Sequence, residues 1–253
     1  MIVIAHRGAN KEDLENSRAA FDKALAGGAT RLELDVRLTA DGQLAVLHDD
    51  NPVRVTGQNL SVATMDRSAM AGLRLRNGEP IPFLDEILDE YLTKVEINIE
   101  IKSTGTAAAR KVAQICAGRD VDRIIVSSFR PAPLKYLADH HPEIPVACLF
   151  ERGFRWPWLS YISPVIFMNR CRSRIIHPAA PLVTRGFMDF CRSRRYLVYP
   201  WVSMDGEEQN REALWTWLKT LGVDGLCTNY PRQLQQWLTE LKEDEQRFTP
   251  HGP

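Results

Sequence analysis

Short apolar runs alternate with segments of helical periodicity along the whole chain, which is the pattern of parallel strands joined by crossover helices. Core strands are predicted at Ile2–His6, Arg31–Arg37, Glu96–Lys102, Arg123–Phe129, Val146–Phe150, Arg174–His177, Tyr196–Val202 and Gly225–Asn229. These suit an α/β TIM (β/α)8 barrel, a fold of about 250 residues, and the 253-residue chain fits one such domain. A further β-like run, Gln43–His48, is reached from the second strand through Asp41-Gly42, the strongest short-range hairpin signal. A tight turn makes this run antiparallel to its neighbour, hence an excursion above the barrel mouth and not another barrel strand. With Asp41 and Gly42 as the loop residues, Asp35 faces His48, and the strand period of two sets Glu33 on the same face as Asp35.

The helical segments carry recognisable ends. Asn16 or Ser17 can cap Arg18–Ala26, Ala107–Ala117 stops at Gly118, and Pro131 and Pro231 stand where a first-turn proline is tolerated. In Glu207–Leu221 the residues Leu214, Trp217, Leu218 and Leu221 recur at helical spacing, as do Leu234, Trp237, Leu238 and Leu241 in the last helix, so both tryptophans are expected in the core. The tail after Lys242 is expected to fray. The alternation breaks at about residues 50–80, a polar stretch read as a small insertion over one side of the barrel mouth, and Pro82 with the acids behind it is expected to open the next helix.

Composition narrows the classes. Lys plus Arg and Asp plus Glu number 32 each, and zero net charge argues against a general nucleic-acid binder. Cys116, Cys148, Cys171, Cys191 and Cys227 are scattered, odd in number and without a CxxC pair, which fits buried thiols in a reducing compartment. Met1–Ala5 is too short for a signal-peptide core, so the chain reads as cytoplasmic. The apolar stretch 153–168 holds Arg155 and two prolines and falls short of the roughly 20 apolar residues of a membrane span.

Active sites of this fold gather at the carboxyl ends of the strands, so polar residues there are the informative ones. Alternation places Asn98, Glu100 and Lys102 on one inward face. Glu33, Asp35 and Glu100 can converge at one rim, where a hard divalent cation such as Mg²⁺ or Ca²⁺ is the natural neutraliser. The competing reading pairs these acids with Arg31, Arg37 and Lys102 as salt bridges; charges inside a barrel are costly without a role, which favours the metal. His6 and His48 flank the same place and suit general acid–base work, and Arg7 and Lys102 suit an anionic oxygen. His140, His141 and His177 read as ordinary hydrogen-bonding residues, with His177 held open because it ends a strand.

Together, His6-Arg7-Gly8, Glu15-Asn16-Ser17, Glu33-Leu34-Asp35-Val36, the hairpin ending in His48-Asp49, Ile81–Glu86, Glu100-Ile101-Lys102, Ser127-Ser128-Phe129 and Gly222–Gly225 resemble the glycerophosphodiester phosphodiesterases, in order and over nearly the whole chain. The resemblance implies hydrolysis of glycerophosphodiesters to sn-glycerol 3-phosphate and an alcohol with a divalent cation. It makes Glu33, Asp35 and Glu100 metal ligands, His6 and His48 the acid–base pair, and Arg7, Lys102 and Trp201 substrate contacts. The chain departs from the family pattern at Trp201-Val202-Ser203-Met204, where Trp-Thr-Val-Asn is usual, and at Thr228-Asn229, where Thr-Asp is usual; both bear on the alcohol or glycerol pocket.

Two other readings stand beside this one. Arginines interleaved with aromatics between Phe150 and Arg174 suit a membrane surface, which would make the substrate a lysophospholipid and the enzyme lysophospholipase D-like. The other is a non-catalytic barrel that only binds a ligand. The oligomeric state is left open by the sequence.

Overall fold

The computed structural model describes residues 1–151, 162–204 and 206–247. In chain order the strands are β1 (Ile2–Ala5), β2 (Arg31–Leu38), β3 (Leu44–Val46), β4 (Glu96–Ile101), β5 (Ile124–Ser128), β6 (Val146–Phe150), β7 (Ile175–Pro178), β8 (Leu197–Val198) and β9 (Gly225–Thr228). Interleaved with them are α1 (Arg18–Ala26), α2 (Val53–Thr56), α3 (Arg67–Ala71), α4 (Leu84–Tyr91), α5 (Ala107–Cys116), α6 (Pro131–His140), α7 (Ile162–Arg170), α8 (Arg185–Ser193), α9 (Arg211–Leu221) and α10 (Pro231–Arg247). All strands but β3 run parallel in the order β8-β7-β6-β5-β4-β2-β1-β9. The chain beyond β8 closes the ring: Trp201 bridges in parallel to both Ala179 and Cys227, and Cys227 N–H donates to the Pro200 carbonyl at 2.8 Å. The result is the TIM barrel that the alternation of elements predicts.

Period-two alternation sorts the side chains of the ring. On β2 and β4, Leu32, Leu34, Val36, Ile97, Ile99 and Ile101 point outward into the core shared with the helices, and Glu33, Asp35, Asn98 and Glu100 point inward. Inside the ring, Ile4, Ile125, Ala147, Tyr199 and Cys227 form a separate apolar plug, with the polar residues gathered beyond it. All five cysteines are buried and unpaired. Among the described residues no helix is long and apolar enough to cross a membrane.

Helix starts follow local chemistry. The Ser17 hydroxyl, and not the Asn16 side chain, caps α1 by accepting from Ala20 N–H at 3.1 Å. Residues 50–80 fold around their own apolar core, where Val55, Val62, Met70 and Leu75 meet Ala45 and Leu47 of the hairpin.

Four expectations are corrected. The hairpin loop has three residues: Thr39 N–H donates to Gln43 O and Gln43 N–H to Thr39 Oγ1, both at 2.9 Å, and Gly42 takes φ +75°. Pairing is therefore shifted by one, with Val36 opposite Val46, and Leu47 rather than His48 reaches Asp35, donating its N–H to the Asp35 carbonyl at 3.0 Å. The helix expected to open at Pro82 starts at Leu84, because Pro82 is held extended with its carbonyl accepting from Val46 N–H at 2.8 Å; Asp85 and Glu86 do fill the first turn. Trp217 is 48 % exposed, and the core position belongs to Trp215, which is 1 % exposed and stacks obliquely on the half-buried Trp237 at 5.8 Å. Finally, α10 continues past Lys242 to Arg247.

The aromatic and arginine stretch divides. Arg152, Phe154, Arg155, Trp156, Trp158 and Tyr161 lie outside the described residues. Beyond them, Phe167 packs edge-on against Phe150 at 5.4 Å, and Arg172 donates to the Ala138 carbonyl at 3.2 Å.

The two tryptophans of α9 give a test. Trp215→Ala is expected to cost about 3–5 kcal/mol and Trp217→Ala no more than about 0.5 kcal/mol in denaturant unfolding; equal losses would contradict the assigned burial.

Candidate active site

The inward positions of β2 and β4 meet at the mouth of the barrel, where Asp35 pairs in register with Glu100 and Glu33 with Asn98. Ligand oxygens of Glu33, Asp35 and Glu100 lie within 4.8 Å of one another, and all three residues are buried. Two cations enter the cluster. Lys102 Nζ is 2.6 Å from Glu100 and 3.1 Å from Asp35, and Arg7 Nε is 3.1 Å from the other Asp35 oxygen.

The backbone is bent to make these contacts. Arg7 and Asn16 adopt φ of +56° and +58°, in the left-handed region that costs a non-glycine residue energy unless its surroundings hold it there. Arg7 is held by its own N–H, which donates to Glu33 Oε2 at 2.9 Å, and by its guanidinium, which donates to Glu15 Oε1 at 3.0 Å. Asn16 donates from Nδ2 to Asp35 Oδ2 at 2.9 Å and accepts from Asp35 N–H at 3.2 Å. Gly8, at φ +82°, lets the chain pass α1: a Cβ there would lie 2.8 Å from the Ala20 carbonyl carbon. His6-Arg7-Gly8 and Glu15-Asn16-Ser17 are thus two halves of one cradle.

Three acids facing two cations leave an excess of negative charge. Burial, reinforced by the neighbouring carboxylates, pushes Glu33 well above the usual carboxylate range; burial likewise pushes Glu100 up to about 7, against the pull of Lys102. Asp35, between Lys102 and Arg7, is instead held below the usual range despite its burial. Among the described residues, one oxygen each of Asp35 and Glu100 has no hydrogen-bond donor beyond these ion pairs. An oxygen-only donor set with surplus charge and uncommitted lone pairs fits a hard divalent cation.

The two histidines are fixed by different partners. Asn229 donates from Nδ2 to the Ser203 carbonyl at 2.9 Å, so its Oδ1 accepts: from His6 Nδ1–H at 2.8 Å and from Asn10 Nδ2 at 2.7 Å. His48 Nδ1–H donates to Asp49 Oδ1 at 2.7 Å. Each ring therefore keeps Nε2 as its free nitrogen. Burial, with Arg7 adding to it, lowers His6 to about 4; burial also lowers His48, opposed by the Asp35 carboxylate.

His6, Arg7, His48, Glu100, Lys102 and Trp201 line one cavity of about 200 Å³. Asp35 is fully buried and adjoins it through Arg7 and Lys102. Trp201 is set by an Nε1–H bond to the Phe150 carbonyl at 3.2 Å and an edge contact with Phe129 at 5.8 Å. Every candidate read from the sequence thus comes together here. His140 and His141 stand apart, stacked on Tyr136. His177 also lines the cavity, against Tyr199 at 5.4 Å, and its Nε2 has no hydrogen-bond partner among the described residues. Sequence reasoning missed Asn10, Arg54 and Glu207. Glu207 is a fully buried carboxylate that accepts from Thr228 Oγ1 at 2.6 Å and Asn229 N–H at 2.7 Å, fixing the residue that holds His6. No spacing in the chain marks these three; Asn229 alone carried a signal, as a departure from the family pattern.

A barrel whose mouth combines an acid cluster, two cations and two oriented imidazoles is equipped for phosphoryl chemistry. The family model for glycerophosphoryl diester phosphodiesterases matches residues 6–233, and the chain belongs to that family of phosphoric diester hydrolases. A glycerophosphodiester phosphodiesterase of Caldanaerobacter subterraneus is 28% identical over 92% of this chain and 96% of its own. A human lysophospholipase D is 27% identical over 93% of this chain and 85% of its own. A crystal structure of an Oleispira antarctica phosphodiesterase in complex with the product sn-glycerol-3-phosphate superposes with a TM-score of 0.80, covering 94% of this chain and 97% of that one at 21% identity.

The raised carboxyls give the acid cluster a pH signature. Glu100 moves from the ordinary 4.5 to about 7, so the metal-free folded protein holds protons that the unfolded chain has lost, and it loses stability as pH rises through 7. A cation must displace the Glu100 proton at pH 5 but not at pH 8. The rise in Tm on adding Mg²⁺ or Ca²⁺ is therefore expected to be larger at pH 8 than at pH 5 and to vanish in Asp35→Asn; a rise that survives the substitution would contradict the site.

Proposed function

We propose that the protein hydrolyses glycerophosphodiesters to sn-glycerol 3-phosphate and an alcohol, with Glu33, Asp35 and Glu100 holding a divalent cation, Mg²⁺ or Ca²⁺. The observation that carries this reading is that two imidazoles with free Nε2 atoms line the same cavity as Glu33, Glu100, Arg7 and Lys102. When bound, the cation supplies charge neutralisation and polarises a phosphoryl oxygen.

The chain's own residues supply the rest. Arg7 and Lys102 offset the charge of the diester phosphate, with Arg7 able to bind two of its oxygens. Burial keeps His6 neutral, against the support that its hydrogen bond to Asn229 gives an imidazolium; His6 Nε2 accepts a proton from the water whose oxygen forms the new bond to phosphorus. Burial lowers His48 as well, but the Asp35 carboxylate and its partner Asp49 oppose that shift, and in its protonated form His48 gives a proton to the departing alcohol oxygen as the phosphorus–oxygen bond to that alcohol breaks. Trp201, on the cavity wall, supplies apolar surface against the glycerol or alcohol carbons.

The test is release of glycerol 3-phosphate from a panel of glycerophosphodiesters, with Mg²⁺ or Ca²⁺ and with EDTA. Release is expected with a cation and is expected to stop with EDTA. His48→Ala and His6→Ala are each expected to lower kcat on the order of 10²–10⁴-fold with the fold intact. Turnover that persists in EDTA would contradict the cation, and turnover confined to lysophospholipids would transfer the reading to lysophospholipase D chemistry.

A further inference from the structure

Arg54 stands in the short helix α2, outside the group of residues that line the cavity, with its side chain 48% exposed. Its guanidinium nevertheless joins two chains of contacts that end at the site. Nη1 and Nη2 donate to the two oxygens of Glu15, both at 2.7 Å, and Nε donates to Asp49 Oδ2 at 2.8 Å. Glu15 is 4% exposed and also accepts from Arg7 Nη1 at 3.0 Å, and the other oxygen of Asp49 accepts from His48 Nδ1–H at 2.7 Å. Among the described residues Arg54 is the one cation bonded both to a partner of Arg7 and to the partner of His48.

The insertion fixes where Arg54 stands. Its carbonyl accepts from Arg76 Nε at 2.9 Å, the next carbonyl, of Val55, accepts from Arg76 N–H at 2.8 Å, and the Val55 side chain sits in the insertion's apolar core. A planar fork gripping one carboxylate with both ends and a second with Nε specifies angles as well as distances, which an ammonium cannot do. If Arg54 only pinned the insertion to the barrel, either acid would serve. The observed geometry engages both, and each passes the constraint to a different residue of the site.

We infer that Arg54 is a positioning residue: through Asp49 and Glu15 the insertion sets the orientation of the His48 imidazole and the Arg7 guanidinium together. Its catalytic consequence rests on the hydrolase reading above, and the structural linkage does not. The groups facing His48 are Asp49, Asp35, Lys102 and Arg7. Removing the positive charge of Arg54 leaves Asp49 to the imidazolium alone, so the His48 titration moves up.

The experiment combines kinetics with ring-nitrogen NMR titration of the histidines in the full-length protein, for wild type, Arg54→Ala and Arg54→Lys. In Arg54→Ala, kcat for glycerol 3-phosphate release is expected to fall on the order of 10- to 100-fold. Added guanidinium is expected to restore part of that loss, and the His48 titration to rise while His6, tied to Asn229, serves as the internal reference. Arg54→Lys, which keeps the charge and loses the fork, is expected to fall between the two in kcat. Wild-type kcat in Arg54→Ala overturns the inference, and so does a loss of activity in folded protein with an unmoved His48 titration. Should Arg54→Ala fail to fold, Arg54→Lys decides: wild-type kcat there overturns it. Should the wild type release no product, the hydrolase reading fails, and the His48 titration still tests the linkage.

Discussion

Three carboxylates held at one rim of a barrel constrain everything around them. With their oxygens within 4.8 Å of one another, any two of them that are both ionised would repel by about 3.5 kcal/mol or more at an effective dielectric of 20, and the cost of desolvation comes on top. The fold answers with Lys102 between Asp35 and Glu100, with Arg7 between Asp35 and Glu15, and with Asn16 on both the backbone and the side chain of Asp35. The left-handed backbone at Arg7 and Asn16 is held in place by these contacts. Even so the charge does not balance, and the raised carboxyls of Glu33 and Glu100 record the deficit that a cation would fill.

The rest of the barrel is arranged to serve that rim. An apolar plug fills the ring on one side of the site and keeps the polar layer short. On the other side, residues 50–80 bring their own core, so that Arg54 is presented from a packed element and not from a loose loop. The histidines divide along the same line: His6 is tied back through Asn229 to Glu207, near the end of the chain, and His48 through Asp49 to the insertion. The two imidazoles of the cavity are thereby anchored to two different parts of the fold.

Much of this was legible in the sequence because strand alternation is a strict period. Once Glu33, Asp35, Glu100 and Lys102 fall on inward positions, their convergence follows from parallel pairing alone. The hairpin was misplaced by one residue because Thr39, through its side chain, extends the loop that Asp41-Gly42 appeared to close, and nothing in the hydrophobic pattern reports a side-chain bond. His48 still lines the cavity, since it leaves the strand just past the paired residues. Trp215 and Trp217 both stand at helical spacing from the leucines of α9, Trp215 three residues before Leu218 and Trp217 four before Leu221, and the barrel wall selects the face that buries Trp215. Arg54 was invisible for a different reason: its partner Glu15 is far away in the chain, and only the packing of the insertion brings them together.

The account turns on whether the acid cluster is a cation site coupled to the protons of Glu33 and Glu100. Calorimetric titration of the metal-free protein with Mg²⁺ or Ca²⁺ near pH 7, repeated in buffers of different ionisation enthalpy, measures both at once. One cation per chain is expected, bound with net release of protons, and both signals are expected to be lost in Asp35→Asn. Binding without proton release, or binding that survives Asp35→Asn, would contradict the account.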